Sequence, residues 1–232
     1  MSKEREKQIL EILWKEKKVT VGQLARVLYV SEPSVRRDLQ SLEGQNLIKR
    51  THGGAILEEG ALSGSKIPFL LREYEQSGAK AKIAEKAAQL VGDGDVIFLD
   101  ASTSCYVLIP FLAAKRNLTV ITNGVKALTA LAEYGIRTVS TGGTLLSDCL
   151  ALVGEEAHGT VEGYNADLAF ISCRGLSEDG ILTDISPEEN NVRKKMIRHA
   201  KRTYLLCTGD KIGKSYFHNL CHKSEITDVI HE

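Results

Sequence analysis

Nothing in this 232-residue chain approaches the roughly eighteen unbroken apolar residues of a membrane span, and the opening residues Met1-Ser2-Lys3-Glu4-Arg5-Glu6 lack a signal peptide's apolar core. Cysteine is scarce: five residues, an odd number with no Cys-x-x-Cys pair, which argues against a disulfide framework and points to a reducing cytoplasm. Cys173 and Cys207 lie in apolar runs and read as inert core thiols. His218 and His222 would face a metal together only on a helix, and no second ligand pair accompanies them, so neither a metal nor a cofactor is expected. Net charge is also absent, at thirty basic against thirty acidic residues, which on its face argues against nucleic acid. That average conceals an asymmetry. Residues 1–57 hold eleven Lys/Arg against seven Asp/Glu, and the remaining residues hold nineteen against twenty-three, so a basic head (+4) precedes an acidic body (−4).

The head reads as three short helices and a hairpin. Ile9, Leu10 and Leu13 repeat at helical spacing, with Trp14 extending their face, so residues 3–17 form an amphipathic helix. Thr20 and Gln23 have the spacing of a capping box and start a second helix, expected to bury Leu24, Val27 and Leu28. Ser31 caps a third, with Pro33 in its first turn. Val35, Leu39 and Leu42 share one stripe of that helix, which puts Pro33, Arg37 and Gln40 on the opposite face and Arg36 on the flank. An outward face that is short, polar and basic suits the major groove, where Arg pairs with guanine and Gln with adenine. Arg36 and the hairpin residues Lys49, Arg50 and His52 are placed for phosphates, and Ser31, Ser34 and Gly53 complete the expected DNA-binding set. Asp38, acidic among basic neighbours, is expected to pair with an arginine inside the domain. Taken alone, paired arginines on a helix are a solvated face; the coincidence of capped helices, short turn and basic wing is what points to duplex DNA.

Residues 57–78 mix Gly, Ser and charge as a linker does, interrupted by apolar Pro68-Phe69-Leu70-Leu71. From residue 79 onward, β-branched runs (96–99, 118–121, 137–140, 168–171, 204–207) alternate with helical segments (79–91, 104–115, 125–134), the pattern of a mostly parallel sheet flanked by helices. Pro110 falls inside the second of these helices, where it would kink it or end it early. Ligands of such sheets bind beyond the carboxyl ends of the strands. Those ends carry Asp100-Ala101-Ser102-Thr103-Ser104, Thr122-Asn123-Gly124 and Thr141-Gly142-Gly143, three small loops rich in hydroxyls or glycine. The first two lead into helix amino-termini, natural seats for an anion such as phosphate. Any one such loop is ordinary turn chemistry; three on successive strands point to a phosphorylated ligand.

The run Ser31-Glu32-Pro33-Ser34-Val35-Arg36-Arg37-Asp38-Leu39, followed by Leu47-Ile48-Lys49-Arg50-Thr51-His52-Gly53-Gly54-Ala55, resembles the signature of the DeoR family of bacterial transcriptional regulators. The resemblance extends over Lys82-Ile83-Ala84, the three loops, Ala166–Phe170, Met196-Ile197 and Lys211-Ile212-Gly213. It implies a winged helix-turn-helix (1–56), a linker (57–78) and an α/β effector domain (79–232) similar to ribose-5-phosphate isomerase and CoA-transferase folds. It implies double-stranded operator DNA and a phosphorylated sugar as partners, a homodimer or homotetramer, and repression of a carbohydrate operon. By the same analogy Asp167, Glu189 and Lys211 join Asp100, Ser102, Thr103, Ser104, Thr122, Asn123, Gly142 and Gly143 around the effector. The chain departs from the family's pattern at Thr208-Gly209-Asp210-Lys211, at Ala101-Ser102 and at Arg174, which could hold a second anion or pair with Glu178 or Asp179. Two other readings exist: an active isomerase-like enzyme fused to a DNA-binding head, using Asp100, Asp167, Glu189 or Lys211, and a domain that only oligomerises.

Overall fold

The computed structural model describes residues 3–44, 47–57 and 69–232. The chain divides into two compact units, residues 1–75 and 76–232. Half of the expected linker, residues 58–68, lies outside the described residues.

In the first unit α1 (Lys3–Glu16), α2 (Val21–Val27) and α3 (Glu32–Gly44) pack with a three-stranded antiparallel sheet of β1 (Lys18–Thr20), β2 (Ile48–Thr51) and β3 (Gly54–Leu57), in the order β1-β3-β2. Thr20 and Gln23 form the capping box in full. Ile9, Leu10, Leu13, Leu24, Val35, Leu39 and Leu42 make the core, with Leu47, Ile48, Ala55 and Leu57 of the sheet. Val27 is a correction: it is 58% exposed, and Val21 takes the buried place beside Leu24, because α2 lasts only two turns and its last residue swings out before the turn. Within the expected linker, Phe69–Tyr74 forms a short helix, α4, whose Leu71 is buried in this same core.

Gly54 shows why the wing is built as it is. Its partner in register is Thr20, and a Cβ on residue 54 would lie 1.9 Å from the Val19 carbonyl oxygen, so β1 approaches β3 as only glycine allows. Gly53 faces open space, and its carbonyl accepts a hydrogen bond from Val21 N–H.

The second unit is a three-layer α/β structure. Its six-stranded sheet has the order β14-β12-β9-β4-β5-β6 and is parallel throughout. The strands are β4 (Val96–Leu99), β5 (Thr119–Thr122), β6 (Arg137–Ser140), β9 (Ala166–Ile171), β12 (Ala200–Leu206) and β14 (Asp228–Ile230). Alternation along each strand feeds two cores. Ile97 and Leu99 meet α5 (Ser77–Ala88), α6 (Thr103–Leu112) and α7 (Val125–Glu133) through Ile83, Leu108, Ile109, Leu112 and Leu131. Phe98, Ile121 and Ala169 face α8 (Glu155–Glu162) and α9 (Pro187–Arg198) through Ala157, Val161, Val192 and Met196. Helix α6 runs through Pro110 and ends two residues later. A hairpin of β7 (Thr144–Leu146) and β8 (Ala151–Val153) folds over the end of β5, and a small antiparallel sheet of β10 (Gly175–Leu176), β11 (Ile181–Asp184) and β13 (His218–His222) follows β9. His218 and His222 therefore lie on a strand, not a helix, and no cluster able to hold a metal occurs among the described residues.

The contrast at the glycine pair is measurable. Gly54→Ala should lower stability by about 1–3 kcal/mol, as overpacking does, whereas Gly53→Ala should leave it within about 0.5 kcal/mol of the parent. Equal unfolding midpoints for the two variants in denaturant would refute the close-approach account.

Candidate functional site

Two surfaces carry the sequence's chemistry, one in each unit. On the first, α3 presents Pro33, Arg36, Arg37 and Gln40 to solvent while Val35, Asp38, Leu39 and Leu42 are buried, as the helical wheel requires. Asp38 receives Arg5 Nε at 2.5 Å and Nη2 at 3.0 Å, a bidentate pair that clamps α1 to α3 and keeps the acid away from the exposed face. Arg36 pairs with Glu32 at 2.9 Å, both well exposed, so a phosphate can compete for it cheaply. Ser31 and Ser34 share a hydrogen bond between their hydroxyls, and Arg37 Nη2 reaches Ser34 Oγ at 3.4 Å. Lys49, Arg50, His52 and Gly53 are all exposed on the β2–β3 wing, where Glu43 accepts from the Arg50 backbone N–H. The residues expected to read bases and those expected to hold phosphates thus stand on adjoining elements of one unit.

The second surface is the carboxyl edge of the parallel sheet. Asp100, at the end of β4, is fully buried; one oxygen accepts from Ser102 N–H and the other from Ser172 N–H and from Arg193 Nε at 2.8 Å. Arg193, on α9, also donates to Asp184 at 2.8 Å, to Asn190 at 3.2 Å and to Glu189 at 3.1 Å. Burial by itself would push the Asp100 carboxyl up, but Arg193 and the Ser102 and Ser172 donors outweigh it and hold the group below the usual carboxylate range. Burial likewise opposes the Arg193 cation, and Asp184, Asp100 and Glu189 more than restore it. Lys211 Nζ donates to Ser172 Oγ at 2.9 Å, and Ser172 Oγ donates to the Leu206 carbonyl at 2.7 Å. One polar chain therefore crosses the ends of β12, β9 and β4.

Sequence reasoning missed Arg193, Asp184, Asn190 and Ser172. A signal existed for the first: Glu189, Asn190 and Arg193 are spaced i, i+1, i+4 and bring three polar groups to a helix that also carries buried Val192 and Met196.

The three expected loops do different things. Ser102 caps α6 by accepting from Cys105 N–H, and Thr122 Oγ1 accepts from Gly124 N–H. Gly142 has φ +65° and faces open space; Gly143 has φ +103° and lies against the Val153 carbonyl, so it seats the β7–β8 hairpin. Thr103 is buried in the first turn of α6. Ser104 Oγ and Asn123 Oδ1 differ from these: both are buried without a hydrogen-bond partner among the described residues. A Cβ on Gly124 would lie 3.0 Å from Ala101 Cα, so the loops bearing these two atoms touch. Buried oxygens without a partner are uncommon in folded proteins.

Asp167 is a correction. It sits near the start of β9, bonded to Lys201 Nζ and to Val96 N–H, and both partners mark the amino edge of the sheet, opposite the loops. Lys201 and then Val96 lower its pKa. Its motif neighbours Leu168-Ala169-Phe170 are core, and Asp167 pins strands. Arg174 forms no ion pair among the described residues, and Asp179 takes the Ser177 hydroxyl at 2.5 Å instead. Cys105 is buried and donates to the Phe170 carbonyl, and burial first, then Asp100, pushes its thiol far up. Burial pushes Cys173 up to about 12 and Cys207 up to about 11, which suits inert core thiols.

Because Asp100 is depressed in the folded chain, its contribution is complete above the unfolded value of about 3.9 and fades as pH falls through the lower folded value. Thermal unfolding from pH 7 to pH 3 should show loss only at the acid end. Arg193→Met removes the cation shared by Asp100, Asp184 and Glu189; it should cost about 3–5 kcal/mol at pH 7 and gain stability as pH drops to about 5. A variant that instead loses stability over that range would refute the network. On the DNA surface, Arg37→Ala should relax sequence preference, whereas Arg50→Ala should weaken all sequences alike and reduce the salt slope by about one. Titrations on specific and random duplexes separate them; equal loss on both from Arg37→Ala would show that α3 is not the reader.

Comparison with known proteins follows the same division. Residues 5–60 match the family profile described as DeoR-like helix-turn-helix domain, and residues 75–232 match that described as DeoR C terminal sensor domain. The HTH-type transcriptional repressor GlcR of Bacillus subtilis (strain 168) is 35% identical, over 96% of this chain and 85% of its own length. The glycerol-3-phosphate regulon repressor of Escherichia coli (strain K12) is 27% identical, over 94% of this chain and 85% of its own. Among solved structures, eIF2B delta from Chaetomium thermophilum aligns with a TM-score of 0.53 at 18% identity, over 70% of this chain and 60% of that one, a likeness of fold alone. The chain, with a winged helix-turn-helix joined to a parallel α/β sensor domain, belongs to the DeoR family of DNA-binding transcriptional regulators.

Proposed function

We propose that this regulator is a cytoplasmic homo-oligomeric repressor of a carbohydrate operon, and that a phosphorylated sugar bound at the carboxyl edge of the parallel sheet sets its grip on operator DNA. The observation that carries the ligand half is the pair of buried, unpartnered atoms Ser104 Oγ and Asn123 Oδ1 beside the amino-termini of α6 and α7. The phosphate is assigned to the α6 amino-terminus, where Thr103 and Ser104 N–H groups and the helix dipole favour an anion. Gly142 and the Ser172–Lys211 pair are assigned to the sugar's hydroxyls. Glu189 and Asp100 act by holding these loops through Arg193. The names of the relatives above, a repressor and a glycerol-3-phosphate regulon repressor, support the class of signal and the direction of control.

Catalysis is not part of this reading. A general base must be free to take a proton near neutral pH, and Asp100 is held ionised by three donors while Asp167 stands on the opposite edge. The buried Cys105 thiol is a poor nucleophile for the same reason that its pKa is high. Control by a ligand requires unequal binding to the DNA-competent and incompetent forms, and a coupling of about 1–3 kcal/mol changes operator affinity about 5- to 150-fold. A homodimer would match a two-fold operator.

A thermal-shift screen with each sugar in phosphorylated and unphosphorylated form tests the proposal. One phosphorylated sugar should raise the unfolding midpoint, its unphosphorylated form should not, and Ser104→Ala together with Asn123→Asp should abolish the shift. Protection by none, or conversion of the sugar during incubation, would overturn it in favour of an oligomerising domain or an enzyme.

A further inference from the structure

Tyr29 is the residue in the first unit whose presence the fold explains least. Helix α2 ends in a six-to-one closure: Leu28 N–H makes the last helical bond, to the Leu24 carbonyl, and Val30 N–H reaches back to the Ala25 carbonyl at 3.0 Å. That closure forces the intervening residue into the left-handed region, and Tyr29 has φ +54°. Glycine is the residue that adopts this conformation without a Cβ penalty, and a bulky side chain there is disfavoured. A side chain kept against such a preference ordinarily repays it by packing. Tyr29 does not, since it is 95% exposed. Val27, on the same turn, is 58% exposed.

The position of this turn decides what the ring can meet. Tyr29 stands two residues before Ser31 and four before Pro33, so it adjoins the end of α3 that also carries Ser31, Ser34 and Arg37. A helix entering the major groove by that end brings the preceding turn to the groove's rim, where the sugar-phosphate backbone runs. Tyrosine fits such a surface: its hydroxyl donates to a phosphate oxygen and its ring lies against deoxyribose, with no charge to be desolvated. We infer that Tyr29 is a further DNA-contacting residue, gripping the backbone beside the base pairs read by α3 and holding that helix in register without reading sequence. The inference rests on α3 being the reader.

The test uses the full chain with Tyr29→Gly and Tyr29→Phe. The probes are a duplex selected by the parent protein from a randomised pool and a scrambled duplex of equal length. Tyr29→Gly relieves the left-handed conformation, so its unfolding midpoint should equal or exceed the parent's. Its affinity should nevertheless fall about five- to tenfold on both duplexes, the worth of one or two lost contacts. The slope of log affinity against log salt should stay unchanged, because no cation is removed. Tyr29→Phe should lose about two- to fivefold, the share of the hydroxyl. Parental affinity for both duplexes in Tyr29→Gly would overturn the inference. A loss confined to the selected duplex would overturn it in favour of a base contact, and unchanged affinity with a shifted oligomer dissociation would assign the ring to a second copy of the chain. Failure of the parent itself to enrich any duplex would instead strike the assignment of α3 as reader.

Discussion

Arg193 joins pieces of the sensor domain that the chain delivers from far apart. Its guanidinium reaches Asp100 at the end of β4, Asp184 at the end of β11, and Glu189 and Asn190 on its own helix. A planar group with several donors in a fixed fork can satisfy carboxylates arriving from different directions, which a lysine cannot. The arrangement is a constraint as much as a contact: three buried acids tolerate one another only with the cation among them. Asp100 in turn accepts from Ser102 and Ser172, so the first loop, the end of β9 and α9 hold one geometry. The carboxyl edge of the sheet therefore owes its shape to this buried network.

The same logic, at smaller scale, governs the DNA-binding unit. Asp38 lies inside the most diagnostic part of the recognition helix, yet it faces inward and takes Arg5 from α1. Turning the acid inward leaves an outward face without negative charge beyond Glu32, which Arg36 already engages. Gly54 performs a comparable service for the wing by letting β1 run close to β3. Two motif residues that look functional thus act by shaping the surface on which Arg37, Gln40, Lys49 and Arg50 stand. Tyr29 presents the opposite case, a residue that the backbone disfavours and the core ignores.

Much of this was legible beforehand where periodicity or local chemistry decides it. The capping box at Thr20, the stripe Val35-Leu39-Leu42, and the strands at 96–99 and 137–140 depend on interactions within a few residues. Val27 misled because the periodicity of α2 continues for one residue past the point where the helix stops protecting it. Asp167 misled because a motif fixes neighbours in sequence but not the edge of a sheet on which they fall. His218 and His222 carry helical spacing, and pairing with β11 made them a strand instead.

The division has a physical origin. From residue order alone come the winged helix-turn-helix, the alternation that builds a parallel sheet, the basic head on an acidic body, and the loops at the strand ends, because each follows from short-range backbone preference or from charge that can be counted. Only the tertiary structure decided which loop atoms are satisfied and which are left over, and it singled out Ser104 and Asn123. It alone sent Asp167 to the amino edge and gathered Asp100, Asp184 and Glu189 around Arg193. The pairing of Asp100 with Arg193 and of Asp167 with Lys201 joins residues tens of positions apart, and burial, not sequence spacing, sets the energy of a charge or a hydrogen bond.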